Sequence, residues 1–384
     1  MNNIRRVAEF LFAPVQVVIL IFFNFIFSIS PKLNYTFVIG VDEIANITRD
    51  LSSVFHKDSL SVNFFTNKFY KNNRYDYSIP IESKYLSYVV KLFYGPYLLA
   101  KLSNKANVFI YLWHTGFCVD REMDYKFLKY KNKKIISIFL GSDIRSHKLT
   151  IDFHNKNMLD TASNYLLQDE NQLENERRVV KVARDADKYS DLIFNYTKDQ
   201  MSYLKSPQLV MPYMYQLDKM HCNKNKFKNI DIIKIVHAPS NPVGKGTPLV
   251  RATIKKLTIE GYRIEYLELI NTQNKNVLNA LQEAHILLNE FYAFIPGVLS
   301  IEGMANYCAT ITSAEYNNFP RGAEHAWLKT RYWEIYDNLK YLLDNPEKII
   351  YYADNGYEYV KNHYTEERVK SFYMDVFYEN KIID

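Results

Sequence analysis

The stretch His237-Ala238-Pro239-Ser240-Asn241-Pro242-Val243-Gly244-Lys245-Gly246 decides how this chain of 384 residues folds. It follows the apolar run Ile232-Ile233-Lys234-Ile235-Val236, and it precedes a segment whose apolar residues Val250, Ile254 and Leu257 recur at helical spacing. Such a loop hands a buried strand over to a helix. In an open α/β sheet, ligands bind beyond the carboxyl ends of the strands, and the free N–H groups that open the next helix favour an anion. Lys245 adds a full positive charge, so the loop suits a phosphate-bearing ligand; an ordinary turn is the alternative reading of its Pro and Gly residues. It is not a Walker A loop, because Lys245 is followed by Gly246 rather than Ser or Thr.

Downstream, strands are predicted over 262–269, 284–289 and 308–312, alternating with helices over 248–259, 274–282 and 298–306. Two more loops follow strands here. Leu288-Asn289-Glu290 ends an apolar strand in a carboxylate. In Pro296-Gly297-Val298-Leu299-Ser300-Ile301-Glu302, Gly297 opens a helix whose amides face phosphate oxygens, with Glu302 about one and a half turns further on. A carboxylate so placed can accept hydrogen bonds from both hydroxyls of a ribose, although a solvated helix residue is the plainer reading.

Upstream the pattern repeats. Strands are expected over 36–41, 61–65, 108–113, 135–140 and 191–196, with helices from Ile44 to Val54, over 85–102 with a bend at Gly95-Pro96, and over 123–130. A polar, helix-rich stretch covers 158–188. Strands alternating with helices imply mostly parallel sheets, so the fold class is α/β with two Rossmann-like domains facing across a cleft. The expected boundaries are a hydrophobic segment 1–33, a first domain 34–210, a linker 211–229 without clear period, a second domain 230–360 and a C-terminal helix 361–384. That helix has Thr365 as N-cap and an apolar stripe of Val369, Phe372, Tyr373, Val376 and Phe377.

A hydrophobic content of 48% supplies cores for two domains and excludes a disordered chain. Only 11 glycines argue against several Gly-rich loops, and a net charge of +6 is too mild to imply nucleic acid. Cys118, Cys222 and Cys308 are far apart, which fits a reducing compartment and not a metal site. From Phe10 to Ser30 no residue is charged, a run that as a helix matches the roughly 30 Å of a bilayer core. Arg5 and Arg6 keep the N-terminus cytoplasmic, and Pro14, Gln16 and Asn24 interrupt the run. The expectation is a protein seated at the cytoplasmic face of the inner membrane by a surface-lying or re-entrant helix, with a full span and an ordinary buried helix as the other options.

HAPSNPVGKGT, the amphipathic helix after it, Gly261-Tyr262 before a strand, Ala284-His285-Ile286-Leu287-Leu288 and PGVLSIEGMA together resemble the donor-nucleotide domain of GT-B glycosyltransferases, in particular family 4-like enzymes that build bacterial surface polysaccharides. Gly141-Ser142-Asp143-Ile144-Arg145 looks like a segment of the acceptor-side domain of some of them. The resemblance covers about 35–380 and is sharpest over 232–313. It implies a hexosyltransferase-like enzyme that uses a nucleotide-sugar donor and needs neither cofactor nor metal. The acceptor it implies is a surface glycan, capsule or lipopolysaccharide, in lipid-linked form, with retention of configuration.

Carried onto this chain, the resemblance puts Lys245, Asn241, Gly297 and Val298 on the donor phosphates and Glu302 on the ribose. It puts Glu290 toward the donor sugar and His114 where a general base or acceptor-positioning group belongs, with Asp143 and Arg145 ordering acceptor or cleft. The chain departs from the family pattern in three places: no arginine precedes Lys245, Phe294 stands where the first of two glutamates is expected, and Asn306-Tyr307 replaces a glycine. Two other readings stay open on these grounds, an inactive GT-B-like subunit that holds glycan or partner enzymes at the membrane, and a nucleotide-sugar epimerase.

Overall fold

The computed structural model describes residues 2–29, 35–65, 73–81, 83–166, 172–228, 230–317 and 319–383. The chain divides into two compact units, one of Met1–Ser146, Arg177–Met211 and Tyr373–Asp384, the other of His147–Glu176 and Pro212–Phe372.

In the first unit β1 (Tyr35–Gly40), α2 (Ile47–Val54), β2 (Ser59–Asn63), β3 (Tyr77–Ser78), α3 (Lys84–Ser103), β4 (Ala106–Leu112), α4 (Arg121–Tyr130), β5 (Lys134–Ile138) and β6 (Leu192–Phe194) follow the N-terminal helix α1 (Asn2–Ser28). The strands pair in parallel in the order β3-β2-β1-β4-β5-β6. Their runs of Val, Ile and Phe are buried on both faces, as a sheet covered by helices on each side requires. Sheet growth reverses at β1 and β4, and in such folds the reversal is where ligands bind.

The second unit holds α5 (His147–Lys156), α6 (Ala162–Leu166) and the start of α7 (Gln172–Tyr189). Then come β7 (Ile233–His237), α8 (Thr247–Ile259), β8 (Ile264–Glu268), α9 (Asn274–Glu283), β9 (Ile286–Leu288), α10 (Gly297–Ala305) and β10 (Ala309–Thr312). They are followed by α11 (Ala323–Ala326), β11 (Leu328–Lys329), α12 (Ile335–Asp344), α13 (Pro346–His363) and α14 (Glu366–Glu379). Its sheet is parallel in the order β11-β10-β9-β7-β8, so the reversal falls between β7 and β9.

The expected two-domain α/β fold is present, with differences at its borders. Residues 147–176, expected in the first domain, belong to the second unit because their aromatic groups pack there: Phe153 and His154 on Phe294 at 6.2 and 5.5 Å between ring centres, Tyr165 on Tyr292 at 6.2 Å. The stretch expected as a linker is anchored as well. The ammonium of Lys226 donates to the carbonyls of Leu281 and Asn306, which end α9 and α10. Helix α3 runs unbroken through Pro96. There Gly95 is required by the close approach of the Phe117 carbonyl, 2.0 Å from where a Cβ would stand. Helices α5, α11, α12 and α13 and strands β3 and β11 are not among the expected elements.

Helix α1 lies on α3. Gln16, fully buried, donates to the Leu92 carbonyl at 2.8 Å and accepts from the Val119 amide at 3.0 Å, while Phe23 and Phe27 meet the Tyr97 ring. The opposite side exposes Leu11, Val18, Ile21, Phe22 and Phe25, each more than half accessible. At the other terminus, α14 begins directly after Thr365 and returns the chain to the first unit. Phe377 packs against Phe37 of β1 and Phe55, and Tyr373 against Phe55 and Phe194 of β6. Truncating one such buried ring costs about 3–5 kcal/mol. Phe377→Ala is therefore expected to lower the urea midpoint and to speed hydrogen exchange along β1; unchanged exchange there would show that the last helix is dispensable to the first sheet.

Candidate functional site

The residues singled out around His237 meet at the reversal of the second sheet. His237 itself is fully buried and holds the scaffold together: Nδ1 faces the Leu288 carbonyl of β9 and Nε2 the Thr247 hydroxyl that starts α8, each at 2.8 Å. Burial pushes its pKa below the ordinary histidine value. Beyond it, Asn241 shapes the loop. Its side-chain oxygen accepts from the Gly244 amide at 2.9 Å, its carbonyl accepts from the Lys245 amide at 2.9 Å, and Gly246 turns the chain with φ +78°.

This turn aims Lys245 at Glu290, just past β9, and the two form an ion pair. The Glu290 carboxylate also lies against the amino end of α10. A Cβ on Gly297 would come within 2.6 Å of Glu290 Oε1, the movable end of that side chain, and the backbone φ of +68° is what favours glycine there. Asn289 locks the same turn, donating to the Pro296 carbonyl and to Ser300 Oγ at 2.8 Å each. The Gly297 amide donates to the Tyr213 hydroxyl at 3.1 Å, and Val298, half-buried, follows in the helix's first turn. Farther along, Glu302 is 8% exposed and accepts from the Asn274 amide group that opens α9, at 2.8 Å.

Lys245, Asn241, Glu290, Gly297 and Val298 are thus gathered around one turn, with Glu302 bound to the neighbouring helix. Two contributors were not expected. Tyr213 comes from the aperiodic stretch after Met211 and carries no motif. Arg331 lays its guanidinium 5.1 Å over the Phe294 ring and pairs with Glu315.

In the first unit the picture is different. Asp143 is fully buried, accepts from the Gly141 amide at 2.7 Å and the Leu140 amide at 3.2 Å, and its pKa is pushed up to about 6 by desolvation. Arg145 pairs with Asp199, to side chain at 2.5 Å and carbonyl at 2.9 Å. Both residues therefore tie down loop backbone, and they do not pair with each other. His114 stands after β4 beside Trp113, whose φ of +68° is held by a bond from Arg121 to its carbonyl at 2.5 Å. Thr115, next in the chain, donates to Asp42 Oδ2 at 2.5 Å. Asp42 was not among the expected site residues, although its place just beyond the first strand marks it by the carboxyl-end rule. The one Asp-x-Asp triplet, Asp185-Ala186-Asp187, is structural: Asp185 pairs with Lys181 and Arg184, and Asp187 accepts the amides of Lys205 and Ser206.

No family model matches this chain, and no curated protein matches it. Among solved structures it is similar to a sucrose-phosphate synthase from Thermosynechococcus elongatus, at 12% identity and a TM-score of 0.53 over 90% of this chain and 98% of that one. A glycosyltransferase from Rickettsia africae matches at 12% and 0.53 over 92% and 100%. S. aureus MnaA, solved with UDP, matches at 12% and 0.51 over 91% and 97%. At such identity the likeness is one of fold, and the fold is the two-domain GT-B architecture.

A side chain at position 297 must both adopt the left-handed region and displace Glu290. Gly297→Ala is expected to cost roughly 1–3 kcal/mol in thermal or urea unfolding. Glu290→Ala in the same chain should recover the steric share, and strictly additive effects in the double-mutant cycle would refute the contact.

Proposed function

We propose that this protein transfers a sugar from a nucleotide-sugar donor to a carbohydrate acceptor. The observation that carries the reading is the Lys245–Glu290 pair at the amino end of α10, at the reversal of the second sheet of a GT-B fold. A partly buried ammonium needs an anion, and the chain supplies one in Glu290. A donor diphosphate presents stronger and more numerous charges to the same place, with the helix terminus adding to the attraction. On binding, phosphate oxygens take Lys245 and the first turn of α10, and Glu290 is released to a hydroxyl of the donor sugar. Glu302, fixed by Asn274, takes the ribose. As the sugar–phosphate bond breaks, Lys245 neutralises the charge that develops on the leaving diphosphate. The acceptor is a surface glycan in lipid-linked form, and transfer retains configuration; the motif resemblance supports both.

The exposed side of α1 fits a membrane partner. A contiguous apolar face this long is unusual on a soluble monomer, whereas a helix lying at the headgroup boundary buries such a face. Because Gln16, Leu20, Phe23 and Phe27 are committed to the first unit, α1 lies on the membrane and does not cross it. That seats the protein at the cytoplasmic surface, where nucleotide-activated sugars are available.

Calorimetry with UDP tests the donor site. Lys245→Ala and Glu302→Ala are each expected to weaken binding at least about tenfold, or about 1.4 kcal/mol. Glu290→Gln is expected to tighten it by about twofold to fivefold, the worth of a partly exposed ion pair. UDP affinity unchanged in all three would sink the assignment. Incubation with a panel of nucleotide sugars separates transferase from scaffold, since slow donor hydrolysis marks the enzyme. For the membrane, full-length protein should co-sediment with anionic vesicles and a chain lacking residues 1–29 should not; equal partitioning of the two would refute the role of α1.

A further inference from the structure

Two neighbouring helices of the first unit are turned inside out. On α1 the polar Gln16 is fully buried, bonded to the Leu92 carbonyl of α3 and to the Val119 amide, while large apolar residues face outward. The same inversion occurs on α3. Lys91, 6% exposed, points inward with its ammonium 5.7 and 5.1 Å from the centres of the Phe64 and Phe65 rings, and the buried Ser87 donates to the Phe64 carbonyl at 2.8 Å. Outward stand Tyr85, Leu86 and Phe93, 80%, 50% and 48% exposed. An ammonium and a hydroxyl inside, with large apolar side chains outside, is the reverse of what water selects on a surface helix.

The two outward faces join into one surface. Phe12 of α1 meets Phe93 of α3 edge to face, with 5.8 Å between ring centres. From Phe10 to Ser28 α1 carries no charged residue, and from Lys84 to Ser103 α3 carries no Asp or Glu. A surface that docks a protein keeps a polar rim and is about as apolar as the rest of the exterior. One that meets lipid is apolar across the contact, with tyrosine at its border, where ring and hydroxyl reach both phases. Tyr85, in the first turn of α3, fits that border.

We propose that α3 is a second membrane-contacting helix, with Tyr85, Leu86 and Phe93 entering the boundary between headgroups and acyl chains of a lipid bilayer beside α1. This contact rests on the membrane reading of α1 and carries it into the body of the first unit. Three side chains are too few to hold the protein without α1, so α3 adds to its grip and fixes which side of the unit faces the bilayer. Because Gln16 also holds Val119, in the loop beyond β4, the carboxyl edge of the first sheet stands one helix diameter, about 10 Å, from the lipid.

Tryptophans introduced into the full-length protein report on each helix separately: Tyr85→Trp on α3 and Phe22→Trp on α1, with the wild-type emission subtracted. The probe is vesicles of phosphatidylcholine and phosphatidylglycerol, with and without bromine on the acyl chains. Both tryptophans are expected to move to shorter wavelength on vesicle binding and to be quenched by the brominated lipid. Quenching at 22 with none at 85 overturns the role of α3 and leaves that of α1 standing; quenching at neither refutes both. Tyr85→Ser combined with Leu86→Ser is expected to weaken vesicle partitioning at least about tenfold, as two apolar side chains leave lipid contact. The melting temperature should not change, since both side chains lie outside the core. Ile259→Ser, at a position 77% exposed on α8 of the second unit, should leave partitioning as it is. Partitioning unchanged by the substitutions at 85 and 86, or weakened as much by Ile259→Ser, also overturns the proposal.

Discussion

The pairing of Lys245 with Glu290 is the constraint on which the second unit's chemistry turns. A lysine at the end of a loop is ordinarily solvated; here the loop is cross-braced by Asn241, and its far side is fixed by His237 between β9 and α8. The ammonium is therefore delivered to one spot. Glu290 turns one oxygen to the ammonium and the other toward Gly297, so the carboxylate bridges the loop and the amino end of α10. Partial burial gives the pair more weight than a surface bridge, while the exposure that remains lets another anion compete.

The two sheets share a topology rule and differ in how they handle charge at the reversal point. In the second, a cation and a helix terminus stand together with a carboxylate between them. In the first, Glu43 accepts the Thr48 and Arg49 amides that open the helix α2, and Asp42 accepts from Thr115. The difference lies in a handful of hydrogen bonds, since both sheets place their strand ends alike.

Much of this was legible along the chain. The strands are buried runs with sharp ends, so β1, β4, β5, β7, β9 and β10 fall within a few residues of expectation, and His237 to Gly246 identified itself by its place between a buried strand and an amphipathic helix. Partners were harder to read. The motif resemblance points Lys245 to a phosphate and Asp143 and Arg145 to an acceptor, and the folded chain gives each a protein partner that no motif announces: Glu290, the turn amides at 140 and 141, and Asp199. Tyr213 and Arg331 left no signal, because neither periodicity nor motif records which side chain arrives from far along the chain. The aromatic residues between His147 and Glu176 show the same limit, since apolar character predicts burial but not against which core.

What the sequence by itself determined was the order of elements, their parallel pairing and the loops that stand at carboxyl ends of strands. Those follow from local periodicity and from the short reach of each connection. Only the tertiary structure decided which charges neutralise one another, which unit claims 147–176, and that α1 lies against α3 through Gln16. These are outcomes of competition for partners in three dimensions: a buried polar group takes the nearest group that satisfies it, and nearness across the fold is not written in spacing along the chain.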